Sequence, residues 1–253
     1  MPPGIAGTLV DESADLQDVI ATLIDLARRK VLTIREEKDK DFTYTLVGQS
    51  DTLRPYERTL VDRLFSQGKT ERRLSELKEK FYTTIPKIKS QLYDEVVREG
   101  FFERSPERTR NAYGAGGLAL LVLTGILGFC GLPLVIDRAE AAWFPVFGLG
   151  VTSLLFMSIA RFMPRKTDKG AEAAARWRAF KRYLQDIEKY TNLEESKAIF
   201  ESYLPFAVAF GIDRTWINKF ARVDAPAPTW WVPYPSDGSG PYYGRGSTTA
   251  GGD

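Results

Sequence analysis

Between Asn111 and Ile136 the chain runs for 26 residues without a charged side chain, and from Ala141 to Ala160 it runs uncharged for 20 more. A helix rises about 1.5 Å per residue and a bilayer core is about 30 Å thick, so roughly 20 apolar residues suffice to cross it. A buried helix of a water-soluble protein would ordinarily keep a polar stripe at the helical period, and neither run has one. The pattern predicts two membrane spans, residues 111–136 and 141–163, joined by a short tip at 137–140.

The flanks orient this hairpin. Arg104, Arg108 and Arg110 precede the first run, and Arg161, Arg165, Lys166 and Lys169 follow the second. The tip "DRAE" carries Arg138 against Asp137 and Glu140. Because Lys and Arg are retained on the cytoplasmic side, both termini are expected inside and the tip outside. Trp143 and Phe144 then fall at the outer interface, where aromatic rings settle at headgroup level, and Pro145 fits a first helical turn. Small residues recur four apart at Ala115/Ala119, Thr124/Gly128 and Gly148/Thr152, a spacing that lets helices approach. No ionisable residue sits deep in either run, which argues against a proton or ion path inside the hairpin. The amino terminus lacks the basic stretch and apolar core of a secretory signal.

Composition narrows the chemistry. The chain has no His, which removes His-based triads, imidazole metal sites and His pH switches. One cysteine, Cys130, forbids an intrachain disulfide or a thiolate cluster, and its apolar surroundings suit an inert side chain. With 35 basic against 33 acidic residues, overall charge gives no reason to expect a polyanionic partner. No nucleophile motif, phosphate loop or metal spacing is present, and "GAGG" at Gly114 opens an apolar run with no strand before it. The sequence therefore nominates no catalytic, cofactor or metal residue and leans away from an enzyme.

Residues 1–110 carry 20 basic and 20 acidic side chains. Leu16, Val19, Ile20, Leu23 and Ala27 share one helical face, predicting a helix from about Asp15 to Lys30. Alternation at Leu32 and Ile34, the turn "EEKDKD", and alternation at Phe42, Tyr44 and Leu46 predict a hairpin. Helix followed by hairpin makes residues 1–50 a winged-helix-like module. Residues 51–110 read as a second, with a helix around Glu57 to Phe65, a short helix at "RRLSELKEKF", and a longer one over 84–99 carrying Ile85, Ile88, Leu92 and Val96. That last helix would occupy a DNA groove. Its Lys87, Lys89 and Arg98 are matched by Asp94, Glu95 and Glu99, however, and DNA affinity comes largely from unmatched cations. Protein interaction or plain scaffolding is the preferred reading, and a membrane-tethered DNA-binding regulator the alternative.

After the spans, residues 164–222 are expected as cytoplasmic amphipathic helices. From Arg161 to Arg182 there are eight basic and two acidic residues. Trp177, Phe180, Leu184 and Ile187 fall on one face, with Arg178, Lys181 and Arg182 nearby. Such a helix can lie on an anionic leaflet or pack on the rest of the protein, and the sequence leaves both open. The uncharged stretch from Ser202 to Ile212, broken by Pro205 and Gly211, is too short to cross. Residues 223–253, rich in Pro, Gly, Ser and Thr, read as a disordered tail whose Trp230, Trp231, Tyr234, Tyr242 and Tyr243 could be interaction points.

Four stretches together carry a resemblance: "PPGIAGTLVDESADLQDVIATLIDLARRKVLTI", "LYDEVVREGFF", "RKTDKGAEAAARWRAFKRYL" and "FESYLPFAVAFGIDRTWINKF". In this order around a hairpin, over about residues 2–222, they resemble the carboxy-terminal region of the predicted membrane proteins grouped as domain of unknown function 2207. The resemblance implies a membrane location and no known activity. Family members typically carry a signal peptide, an extracytoplasmic domain and an earlier span, so a shortened chain or a family variant is implied here. Where members usually have Gly after "LARR" this chain has Lys30, which bears on the turn that follows.

The expected whole is a mainly α protein with small β hairpins: winged-helix-like cytoplasmic modules, a two-helix transmembrane hairpin and cytoplasmic amphipathic helices. It would be integral to a membrane, taken as a bacterial cell membrane. Its expected partners are anionic lipids and protein partners or itself.

Overall fold

Leu16, Val19, Leu23 and their neighbours form α2 (Leu16–Arg28), which is preceded by α1 (Pro3–Asp11). This description comes from a computed structural model that describes residues 1–37, 41–48, 52–135, 140–190, 197–222 and 228–232. The chain divides into two units: Met1–Glu95 with Glu172–Asp253, and Val96–Ala171.

In the first unit α1 is buried at every residue from Pro3 to Leu9. A Cβ on Gly7 would overlap the Asp18 carboxylate, and one on Gly4 would come within 2.6 Å of the Thr22 hydroxyl. Small residues therefore let α1 lie directly on α2. Asp15 caps α2, its N–H donating to Asp18 Oδ2 at 3.0 Å. At the other end the Val31 N–H donates to the Leu26 carbonyl and the Lys30 N–H to the Ala27 carbonyl, closing a helix end with Lys30 at φ 59°. The expected Lys30 departure thus leaves the turn in place, in a left-handed conformation that glycine usually supplies.

The chain then runs into β1 (Leu32–Glu36) and β2 (Phe42–Leu46), paired antiparallel with Ile34 opposite Tyr44. Next come α3 (Pro55–Leu64), β3 (Glu71–Arg73), α4 (Leu74–Tyr82) and α5 (Ile85–Arg98). β3 pairs with β2, so one sheet spans the stretches that the sequence reading divides at residue 50. Ile88, Leu92 and Val96 of α5 are fully buried. Arg29 donates to Glu57 at 2.7 Å and Arg54 to Glu95 at 3.0 Å, with both carboxylates buried. Removing one partner of such a buried pair costs about 3–5 kcal/mol.

The second unit holds the hairpin. α6 (Pro106–Ile126) continues through a wider turn at Leu127–Gly131 into α7 (Leu132–Val135), and α8 (Trp143–Ile159) returns. Helix begins at Pro106 rather than Asn111, its first turns carrying Arg108 and Arg110. Two continuous segments, Pro106–Gly131 of 26 residues and Trp143–Phe162 of 20, are long and apolar enough to cross a membrane, and only 11% of the 18-residue apolar stretch within each is buried. The tip residues Asp137 and Arg138 lie outside the described residues, as does the Glu140 side chain. Pro145 does fall in the first turn of α8.

Returning to the first unit, the chain forms α9 (Asp168–Gln185), α10 (Lys197–Ala209), α11 (Asp213–Ala221) and β4 (Trp231–Val232). α10, with Pro205 inside it, packs on α1 and α2 and buries Leu204, Ala207 and Ala209. β4 pairs parallel with β1, giving the order β3-β2-β1-β4. Trp231 and Val232, within the stretch read from the sequence as a disordered tail, therefore lie in a strand. Residues 223–227 and 233–253 lie outside the described residues.

Candidate functional site

The residues that distinguish this chain chemically are apolar ones facing outward. Phe129 is 86% exposed, Phe147 63% and Leu155 57%, and Leu118, Val122, Ile126 and Leu154 are exposed beside them. Burying one such side chain is worth roughly 1.5–3 kcal/mol, so helices with this surface need an apolar medium. Their polar groups are satisfied internally: Thr124, Thr152, Ser153 and Ser158 each donate to the carbonyl four residues earlier.

α6 and α8 meet along small residues. A Cβ on Gly117 would fall 2.5 Å from Met157 Cγ, and one on Gly128 would fall 3.2 Å from Val146. Thr124 and Ser153 are buried in the seam. Of the pairs singled out in the sequence, only Thr124/Gly128 lines it. Ala115, Ala119 and Thr152 are exposed, and Gly148 has open space around it. The pairing missed Gly117, Gly150 and Ser153 because four-residue spacing alone does not say which face of a helix is used.

At the base of the hairpin the incoming and outgoing chains are tied together. Phe102 forms a backbone bridge with Lys166, and the Thr167 N–H donates to the Phe101 carbonyl at 3.0 Å. The Thr167 hydroxyl donates to the Gly100 carbonyl at 2.7 Å and accepts the Gly170 N–H at 3.0 Å, capping α9. Gly170 sits against the Phe101 carbonyl, where a Cβ would overlap it. Sequence reasoning missed this tie, although "TDKG" holds the Thr-x-x-Gly spacing of a helix cap.

The positions expected at a membrane interface have varied settings. Trp143 and Phe144 stack at 3.9 Å and are exposed at the start of α8. Arg161 lies 5.2 Å from the ring centre of Phe162, which is 74% exposed, and Arg165 is exposed. Lys169 donates to the Glu99 carbonyl at 2.6 Å and lies over Phe101, while Lys166 lies over Phe102. Within the first unit the Trp177 ring stacks on Phe206 at 5.3 Å, so the aromatic face of α9 packs on α10. Arg178 and Arg182 remain exposed, and Lys181 is half-buried.

Elsewhere, burial pushes the Asp18 carboxyl up to about 8. Its Oδ2 accepts from Thr8 at 3.1 Å and from the Asp15 N–H, while Oδ1 has no partner among the described residues. Burial also raises Asp11, to about 6, opposed chiefly by the hydrogen bond that its carboxylate accepts from the Ser13 N–H. A cleft of about 380 Å³ is lined by Leu53, Pro55, Arg58, Thr59, Asp62 and Gln91. No nucleophile paired with a base lines it, and no group of three His, Cys, Asp or Glu could hold a metal among the described residues.

A family model described as the C-terminal domain of a predicted membrane protein, DUF2207, matches residues 1–220. No curated protein and no solved structure matches the chain. The chain belongs to that family of membrane proteins.

Proposed function

We propose that this family member is a membrane-anchored protein-interaction module, in which the hairpin is the anchor and the first unit is held at the cytoplasmic surface. The observation that carries this is the pair of spans with large apolar side chains facing outward along both. Orientation rests on the basic flanks: Arg104, Arg108, Arg110, Arg161 and Arg165 belong at the cytoplasmic leaflet, with both termini inside. Anionic headgroups are the partners of the exposed Arg161 and Arg165, while Lys166 and Lys169 serve chiefly the tie beneath the hairpin. Trp143 and Phe144 sit at the outer interface.

The order helix, hairpin, helix, strand and two helices supports reading this part of the chain as winged-helix-like, a frame suited to recognition. Protein recognition is favoured over DNA. α5 would have to enter a DNA groove, yet it buries Ile88, Leu92 and Val96 and holds Glu95 in an ion pair with Arg54. A polyanion would meet few unmatched cations there.

The test places a cysteine at position 138 in the full chain with Cys130→Ser and labels intact cells with an impermeant maleimide. Labelling from outside supports the topology; reaction only after lysis overturns it. Retention of the purified chain on duplex DNA at low salt, lost at high salt, would replace protein interaction with the regulator reading.

A further inference from the structure

We propose that Thr229–Val232 is a detachable docking strand, and that the edge of β1 which it covers also accepts the same segment from a second copy of this chain.

Among the described residues β1 and β2 share five register pairs, β2 and β3 three, and β1 and β4 two, Ile34 with Trp231 and Arg35 with Val232. The Ile34 N–H donates to the Trp230 carbonyl at 3.0 Å. Side chains supply the rest of the hold. Trp230 is 5% exposed, Trp231 lies 5.5 Å from Phe42, and the Thr229 hydroxyl donates to Glu201 at 3.0 Å. This is how an added strand binds, with the main chain pairing to a sheet edge and alternate side chains choosing the sequence.

Trp230 Nε1 is buried with no hydrogen-bond partner among the described residues, which costs the docked state some of what burying the ring gains. When β4 lifts away, β1 becomes an edge strand with unpaired backbone groups beside Phe42, and such an edge pairs with any suitable strand offered. The complementary strand is present in every copy, because receptor edge and docking segment belong to one chain. Exchange of an identical element is a low-cost route to association. Anchoring in one bilayer surface would raise the local concentration of copies further. The inference rests on the interaction-module reading and names its partner, the chain itself.

The test uses the full chain with Cys130→Ser, co-expressed as two differently tagged forms, one carrying R35C and the other V232C. Membranes are oxidised and crosslinked pairs counted; a chain carrying both substitutions reports the intramolecular seat. The expected result is an intrachain crosslink in the double variant, together with a mixed-tag dimer that falls at least fivefold when W230A is added to the V232C chain. An intrachain crosslink without the mixed dimer would show that β4 only caps its own sheet, and would overturn the exchange. No crosslink of either kind would overturn the docking strand itself. A mixed dimer indifferent to W230A would mark random collision and overturn the proposal as well. Labelling at position 138 on the same membranes reports anchoring separately, so failure there is distinguishable from failure of exchange.

Discussion

Gly170 lies against the carbonyl oxygen of Phe101 with no room for a Cβ between them. The two residues sit on opposite ends of the hairpin sequence, one just before it and one just after. Their approach, with the Thr167 cap and the Phe102–Lys166 bridge, fastens both ends of the hairpin at one point. A two-helix anchor needs such a fastening, since lipid gives two apolar helices little hydrophobic reason to stay together.

Gly170→Ala should therefore cost about 1–3 kcal/mol, the usual range for forcing atoms into a packed site. Thr167→Val should cost about 1 kcal/mol by removing the helix cap. Thermal unfolding of the full chain in detergent, followed by circular dichroism, checks both. An unchanged midpoint in Gly170→Ala would contradict the close approach.

Lys30, Gly100 and Gly211 close their helices with the same pair of backbone bonds, at φ 59°, 75° and 67°. Two of the three positions have the residue that pays no left-handed penalty. For an L-residue that penalty is about 1–2 kcal/mol, and glycine returns part of it through greater freedom when unfolded. Lys30→Gly is expected to stabilise the chain by about 0.5–1 kcal/mol, with Lys30→Ala close to neutral as control. Urea unfolding of the full chain would show whether the midpoint rises only for glycine.

The sequence made some elements plain because their signal is local. The spans need only length and absence of charge; α2 and the β1–β2 hairpin follow from periodicity, and their observed bounds lie close to those expected. α1 was invisible because "PPGIAGTLVDE" has the Pro and Gly content of a loop. Its helix is supported by packing on Asp18 and Thr22, which no local pattern encodes. β3 and β4, of three and two residues, are strands only because β2 and β1 lie beside them. Trp177 was equally suited to lipid or protein by composition, and its stacking on Phe206 depends on a helix more than twenty residues further along.

Asp18 gives a pH dependence with a definite sign. Its folded pKa of about 8 lies above the ordinary 3.8, so between these values the folded state holds a proton that the unfolded state has released. Stability is then greatest in acid for this group and falls as pH rises toward 8, by up to about 1.4 kcal/mol per pH unit. Asp11, raised to about 6, adds to the slope in the lower part of that window. Asp18→Asn keeps the shape of the side chain without the ionisation. Denaturant titrations at pH 5 and pH 7.5 should show that this variant narrows the gap between the two and is the more stable chain at pH 7.5. A gap equal to that of the parent would remove Asp18 as its cause.

Gly117 and Gly148 separate packing between the spans from packing against lipid. A Cβ on Gly117 would lie 2.5 Å from Met157 Cγ and 3.2 Å from the Met157 backbone nitrogen, so α6 and α8 would have to move apart. Gly148 has no atom within 4 Å of that position and faces away from the seam. Gly117→Ala should destabilise the hairpin by about 1–3 kcal/mol, while Gly148→Ala should be neutral or slightly stabilising through its better helix propensity. Both substitutions add the same methyl group to an apolar helix, so hydropathy cannot explain a difference between them. Midpoints measured side by side in one detergent decide the matter: equal shifts would mean that the spans do not meet along the Gly117 face.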